Sequence, residues 1–176
     1  MRKPRIIVSN AMYHVVARTN RGEHMLSTDT MKQLIYLVIK RAKKKYSFTL
    51  ANFCLMGNHI HFMITPAPGE NLSRIMQWIL SVFALRFNTI FGLKGHVWYD
   101  RFKSKVIEDL RQFLNTFIYI VENPVRAGIV KHPHDYRFNA VTFLRRGLTS
   151  VADDPGEAVR LQLPGCCGLL LLVAAE

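Results

Sequence analysis

Residues 11–20, "AMYHVVARTN", alternate two sets of side chains, with Tyr13, Val15 and Ala17 on one face and His14, Val16 and Arg18 on the other. With its β-branched and aromatic content, that alternation predicts a strand. From Asp29, a candidate helix cap, Leu34, Ile35, Val38 and Ala42 recur at helical spacing, and the predicted helix ends in the basic run "KRAKKKYS". "FTLANFCLM", the turn "GN" and "HIHFMITP" then predict a β-hairpin. Leu72, Ile75, Met76, Ile79 and Phe83 form a second helical stripe over 71–91, stopped by Gly92. "KSKVIED" predicts a fourth strand, and a third helix is expected over 109–122, because Pro124 disfavours helical geometry at Asn123.

The resulting order, βαββαβ and then a further helix, is an α+β, ferredoxin-like arrangement: an antiparallel sheet with helices on one face, plus the extra helix. Residues 1–147 make one domain on this reading. The segment 148–176 loses the basic and aromatic character of what precedes it, and Pro and Gly interrupt its periodicity, so it reads as an appendage without order of its own.

Charge narrows the class of partner. The 24 Lys and Arg residues outweigh 12 Asp and Glu, giving a net charge of +12. Residues 151–176 hold one basic residue (Arg160) against four acidic ones, so residues 1–150 carry +15. An excess of this size is the electrostatic footprint of a polyanion binder, with nucleic acid as the leading partner. Cys54 and the adjacent Cys166 and Cys167 have neither a disulfide framework nor zinc-finger spacing, which fits a reducing compartment. No signal-like apolar stretch stands at the N-terminus, and the apolar run "LLLLVAA" is far short of the roughly 20 residues a span requires. The expectation is a protein of the cytoplasm, associated with the nucleoid and not with a membrane.

In "NHIHFMI", His59 and His61 lie two residues apart on a strand and therefore share a face, so their imidazoles can converge on one ion while Ile60 and Phe62 face the core. By itself such a pair more often lies on a solvent face, since a short motif is weak evidence for a site. On the third helix, Leu110, Phe113, Leu114, Phe117 and Val121 form an apolar stripe, and Gln112, Asn115, Thr116, Tyr119, Glu122 and Asn123 lie opposite. Tyr119 and Asn123, four residues apart, present a phenol and an amide on successive turns.

"GNHIHFMI", "GHVWYDRFKS" and "YIVENPVRAGIV" occur in this order, and over 13–136 the chain resembles the REP-associated tyrosine transposases of the single-tyrosine HUH (His, hydrophobic, His) superfamily, IS200-like. The resemblance implies that Tyr119 is the catalytic tyrosine and that His59, His61 and Asn123 are metal ligands. It implies metal-dependent cleavage and rejoining of single-stranded DNA through a covalent 5′-phosphotyrosine, on hairpin-forming REP-type DNA. A free phenol, with a pKa of about 10, is a poor nucleophile at neutral pH and needs a base or a metal beside it. Imidazole ligands alone argue for zinc or another transition metal. The family implies Mg²⁺ or Mn²⁺, with Asn oxygen, water and phosphate as the hard ligands.

For DNA contact, Arg18 and Arg21 stand at the end of the first strand, and Lys94, Trp98, Arg101, Lys103 and Lys105 lie in and beside "KGHVWYDRFKS". Cations for phosphates and aromatic faces for unstacked bases are what a single strand requires. Arg126, in "NPVRAG", is a further phosphate candidate or a structural tie at the helix end. The alternative class is a non-catalytic single-stranded nucleic-acid-binding protein of the same fold. A homodimer and a monomer are both open.

Overall fold

The sheet is built around β1 (Met12–Arg18), where buried Tyr13, Val15 and Ala17 alternate with half-buried His14 and Val16 and exposed Arg18. The computed structural model describes residue 8 and residues 10–156. On one side β1 pairs antiparallel with β3 (His59–Pro66), and on the other with β4 (Lys103–Ile107); β2 (Phe48–Leu55) joins the far edge of β3, giving the order β2-β3-β1-β4. This is the ferredoxin-like order the sequence predicts.

Two helices cover one face. α1 (Asp29–Lys45) buries Ile35, Val38, Ile39 and Ala42, and α2 (Leu72–Phe91) buries Leu72, Ile75, Met76, Ile79 and Phe83. They meet the sheet side chains of the Phe62 row, including Val15 and Ala17, which are almost fully buried. The cap of α1 is Thr28, whose side chain accepts from the Met31 N–H, and Asp29 is instead the first helical residue, paired with Arg137 at 2.9 Å. A hydroxyl in the extended residue just before the helix reaches the orphan N–H groups, which the expected cap at Asp29, already helical, cannot do. α2 is capped by Asn71 and ends at Gly92 with φ 62°, the left-handed conformation that glycine adopts without a Cβ clash.

α3 (Leu110–Arg126) lies on the opposite face, and here the structure departs from expectation. It continues four residues past Glu122, through Asn123 and Pro124, to Arg126. Pro124 falls in the last turn, and burying its ring against the fold outweighs the local preference of the residue before a proline for extended backbone. The buried line also turns: Phe113, Ile120 and Pro124 are the buried residues of α3, while Leu110, Leu114, Phe117 and Val121 are only partly covered. Tyr119 and Asn123 thus flank the packed line, where the sequence pattern placed them opposite it.

The free edge of β2 is covered by the chain beyond α3. Leu55 donates its N–H to the Phe138 carbonyl at 3.0 Å, Tyr136 Oη donates to the Leu55 carbonyl at 2.6 Å, and α4 (Ala140–Arg145) sets Phe143 against Phe53 and Tyr36. Val151 and Ala152 are fully buried, and Asp153 pairs with Lys43 and exchanges hydrogen bonds with the Leu50 backbone. These are the first residues of the expected appendage; residues 157–176, Cys166 and Cys167 among them, lie outside the described residues. Cys54 is a free, buried thiol. Among the described residues no helix is long and apolar enough to cross a membrane.

Phe113 is the fully buried anchor of α3. Replacing it with alanine should lower the free energy of unfolding in urea by about 3–5 kcal/mol, the usual cost of deleting a buried phenylalanine ring. A loss below about 1 kcal/mol would mean that α3 is held by something other than this contact.

Candidate active site

The register of β1 against its neighbours lays out one face of the sheet. Arg18 stands across from His59, Val16 from His61 and His14 from Met63; on the other side Val16 stands across from Lys103 and His14 from Lys105. Directly opposed residues share a face, so this surface runs from two histidines on β3, over His14 on β1, to two lysines on the edge strand. α3 lies across the β3 end of it and leaves the β4 end open, with Lys103 and Lys105 exposed.

Four side chains converge where α3 crosses β3. Asn123 Oδ1 is 3.3 Å from His59 Nε2, and Asn123 Nδ2 is 3.4 Å from His61 Nε2. The His59 and His61 ring centroids are 4.9 Å apart with planes at 88°, and the Tyr119 ring lies edge-on at 5.6 Å from His61. His14 joins the group, its Nε2 3.0 Å from His61 Nδ1 and its ring 6.0 Å from Tyr119. The guanidinium of Arg126, one further turn along α3, lies 5.6 Å over the Tyr119 ring. Tyr119 itself is 39% exposed, open to an incoming strand.

The hydrogen bonds decide what these groups can hold. Asn58 donates Nδ2–H to the Gly22 carbonyl at 3.2 Å, which orients its Oδ1 toward His59 Nδ1 at 2.7 Å. An amide oxygen only accepts, so His59 carries its proton on Nδ1 and its Nε2 is a lone pair. That lone pair faces the Asn123 oxygen, a second acceptor. Turning the Asn123 amide over lets Nδ2–H donate to His59 Nε2 and leaves Oδ1 to accept from His61 Nε2–H, with His61 Nδ1 then accepting from His14. His59 Nε2, His61 Nε2 and Asn123 converge on one point, and two imidazole nitrogens with an amide oxygen are a donor set that fits a divalent metal. Among the described residues there is no group of three or more His, Cys, Asp or Glu side chains that could hold a metal ion. Two imidazoles and an amide leave room for hard oxygen ligands.

The histidines are held neutral. Burial pushes the His61 pKa down to about 3, with the neighbouring His59, His14 and Arg18 acting in the same direction. His59 is lowered by burial, against the raising effect of its Asn123 contact and with Arg18 and His24 lowering it further. His14 is lowered by burial and by Lys105. Neutral imidazoles are the form that ligates a metal.

The expected DNA-contacting residues divide. Arg18, Arg21, Lys94, Arg101, Lys103, Lys105 and Arg126 are all exposed. Arg21 sits in the turn Asn20–Gly22 at φ 53°, a left-handed conformation uncommon for a residue with a Cβ. Trp98 is committed to packing: its Nε1–H donates to the Leu80 carbonyl at 2.9 Å and its ring lies 5.5 Å from Phe83. Phe102 is buried as well. The free aromatic face of this loop is Tyr99, 74% exposed and tied by its N–H to the Arg18 carbonyl at 3.0 Å. His132 and His134 stack on each other at 5.4 Å in the loop after α3. Asn58 is the site residue that the pattern does not single out, recognisable only as half of the "GN" turn; His14 is legible as a residue on the first strand that borders the site, and it lies against His61.

Comparison with known proteins gives the family. Residues 7–123 match the one described as "Transposase IS200 like", and the chain belongs to that family of transposases. It is similar to the REP-associated tyrosine transposase of Escherichia coli strain K12, at 27% identity over 145 residues that make up 81% of this chain and 83% of that protein. The solved structure of a REP-associated tyrosine transposase bound to a REP hairpin shares the fold, with a TM-score of 0.70 at 24% identity over 88% of this chain and 93% of the other. A putative transposase from Deinococcus radiodurans aligns at a TM-score of 0.48 and 18% identity, over 67% of this chain and 95% of that one.

A histidine kept neutral in the fold and free to protonate when unfolded makes stability fall as pH drops below about 6.5. In the unfolded chain His61 binds a proton between pH 6.5 and 3 that the folded chain refuses, so stability rises with pH across that window. Urea unfolding of the metal-free protein should show a loss of up to about 2 kcal/mol from His61 alone between pH 7 and 5. The loss should shrink in His61→Gln; an equal slope in both proteins would contradict the burial of a neutral imidazole here.

Proposed function

We propose that this transposase cleaves and rejoins single-stranded DNA by transesterification, with Tyr119 as the nucleophile and hairpin-forming REP-type DNA as the substrate. The observation that carries the proposal is the convergence of a half-exposed tyrosine with two neutral imidazoles and an amide, on the sheet face that continues into Lys103 and Lys105.

Tyr119 Oη forms a bond to the scissile phosphorus as the bond to the 3′-oxygen breaks. The phenolic proton is lost to solvent and the departing 3′-oxygen gains one, leaving a 5′-phosphotyrosine and a 3′-hydroxyl. The displaced phosphodiester energy stays in the protein link, so rejoining is the same exchange in reverse and needs no external energy. His59 Nε2, His61 Nε2 and Asn123 Oδ1 hold a divalent cation, Mg²⁺ or Mn²⁺; when bound it stabilises the charge that develops on the phosphate. Manganese accepts both imidazole and oxygen donors, which suits this mixed set.

Arg126 over the Tyr119 ring is positioned to meet a phosphate beside the nucleophile, and Arg18, Lys103 and Lys105 extend positive charge along the open face. Tyr99 offers a flat surface for an unstacked base. A protein working on chromosomal repeats resides with the nucleoid in the cytoplasm.

The test uses end-labelled single-stranded hairpins drawn from repeats that flank the gene, incubated with Mn²⁺ or Mg²⁺ and resolved on a denaturing gel. Wild type should yield a protein-linked 5′ product, and Tyr119→Phe none. His59→Ala, His61→Ala and Asn123→Ala should each lower the cleavage rate by on the order of 10²–10³. Cleavage surviving Tyr119→Phe would overturn the nucleophile assignment, and binding without cleavage under either ion would favour a DNA-binding module.

A further inference from the structure

The two imidazoles aimed at Asn123 are each held from behind, by side chains that neither the fold nor the chemistry proposed above requires. His59 Nδ1 lies 2.7 Å from Asn58 Oδ1, and His61 Nδ1 lies 3.0 Å from His14 Nε2. The His14 and His61 centroids are 5.3 Å apart with planes only 19° from parallel. With nitrogens at 3.0 Å, the contact atoms must lie between the two centroids, so the rings meet edge to edge in nearly one plane. That is the geometry of an in-plane N–H···N bond, not of a face-to-face stack.

We infer that Asn58 and His14 are positioning residues of the metal centre, fixing His59 and His61 in the Nδ1–H form so that both Nε2 lone pairs point at the ion. The inference rests on the proposed metal site. For Asn58 the orientation is determined by the network: reversing its amide would set Oδ1 against the Gly22 carbonyl at 3.2 Å, two acceptors without a proton. For His14 the contacts allow two arrangements, one with His61 Nε2–H donating to a turned Asn123 amide and one with His61 Nε2 free as a ligand and Nδ1–H donating to His14 Nε2; the inference assigns the second. Outer partners of this kind set the tautomer and the aim of a ligating histidine.

Asn58 does more than hold a ring. Its backbone carbonyl accepts the Thr19 N–H at 2.9 Å, and its side chain accepts and donates between His59 and the turn Asn20–Gly22. That turn contains two successive positive φ angles, 53° at Arg21 and 70° at Gly22. A residue with a Cβ disfavours the left-handed conformation, and the Asn58 bond to Gly22 ties down the turn that adopts it. A single amide therefore joins the turn that exposes Arg21 to the ring of His59.

Long-range ¹⁵N–¹H spectra of the metal-free protein at pH 8 read the tautomers directly, and Mn²⁺ titration followed by electron paramagnetic resonance reads the affinity. His59 and His61 should both appear as Nδ1–H, against the Nε2–H preference of free imidazole in water. Asn58→Leu should return His59 to the solution mixture and weaken Mn²⁺ binding by about 10–100-fold, and His14→Leu should do the same at His61. His14→Gln keeps an acceptor within reach and should keep both the tautomer and the affinity at His61, which separates a lost hydrogen bond from a damaged fold. Nε2–H at either ring in wild type would overturn the inference, as would wild-type Mn²⁺ affinity in both leucine variants. The tautomer readout requires neither metal nor DNA. Nδ1–H rings in a protein that binds no Mn²⁺ and cuts no hairpin would refute the functional proposal while leaving the hydrogen bonds as described.

Discussion

Everything in the site depends on the register of β1 against β3. Side chains alternate along a strand, so the pairing that puts Val16 across from His61 and Arg18 across from His59 also puts Ala17 across from Ile60 and Val15 across from Phe62. A slip of one residue would turn His59 and His61 of β3, or His14 and Arg18 of β1, into the apolar layer under α1 and α2. Burial of the Phe62 row therefore fixes the direction of the histidines, without any contribution from the histidines' own contacts. The same register carries the face on to Lys103 and Lys105, so the hydrophobic core and the positive surface are set by one constraint.

The strand side of this arrangement was legible in the sequence because period-two alternation survives in local pattern. "AMYHVVARTN" and "HIHFMITP" show which residues are buried, and the sheet order follows from the element order. The helix side was less legible. A proline preceded by asparagine argues locally for a helix end at Glu122, but Pro124 lies in the terminal turn with its ring buried, and tertiary packing decides the boundary. The consequence is more than four extra residues. Because α3 stays helical through Asn123, the amide follows Tyr119 by one full turn on a rigid element, and phenol and amide approach β3 together.

The position of Tyr119 around the helix shows a related limit. A stripe counted at 3.6 residues per turn sets it opposite the core, as though α3 had one buried and one wet side. In the fold, Ile120 and Pro124 are buried and Tyr119 leans to within 5.6 Å of the His61 ring. Periodicity finds the apolar face of a helix but not the angle at which a sheet receives it. Aromatics gave the same difficulty in the loop before β4: Trp98 and Tyr99 are adjacent and alike in sequence, yet the first fills a place against Phe83 and Leu80 and the second is open to solvent.

Net charge located the partner class but not the surface. The densest basic run, on α1, is largely occupied: Lys43 pairs with Asp153, and Arg41 and Lys45 lie over the Trp78 ring. It also belongs to the layer on the far side of the sheet from Tyr119. The sparser cations, Arg18, Lys103, Lys105 and Arg126, come from three different elements and gather on the face that carries the histidines. Burial is the main reason these imidazoles resist protonation, and Arg18 beside His59 and His61 and Lys105 beside His14 act in the same direction. A cationic surface of the kind that attracts a polyanion thus also helps to keep the imidazoles on it uncharged.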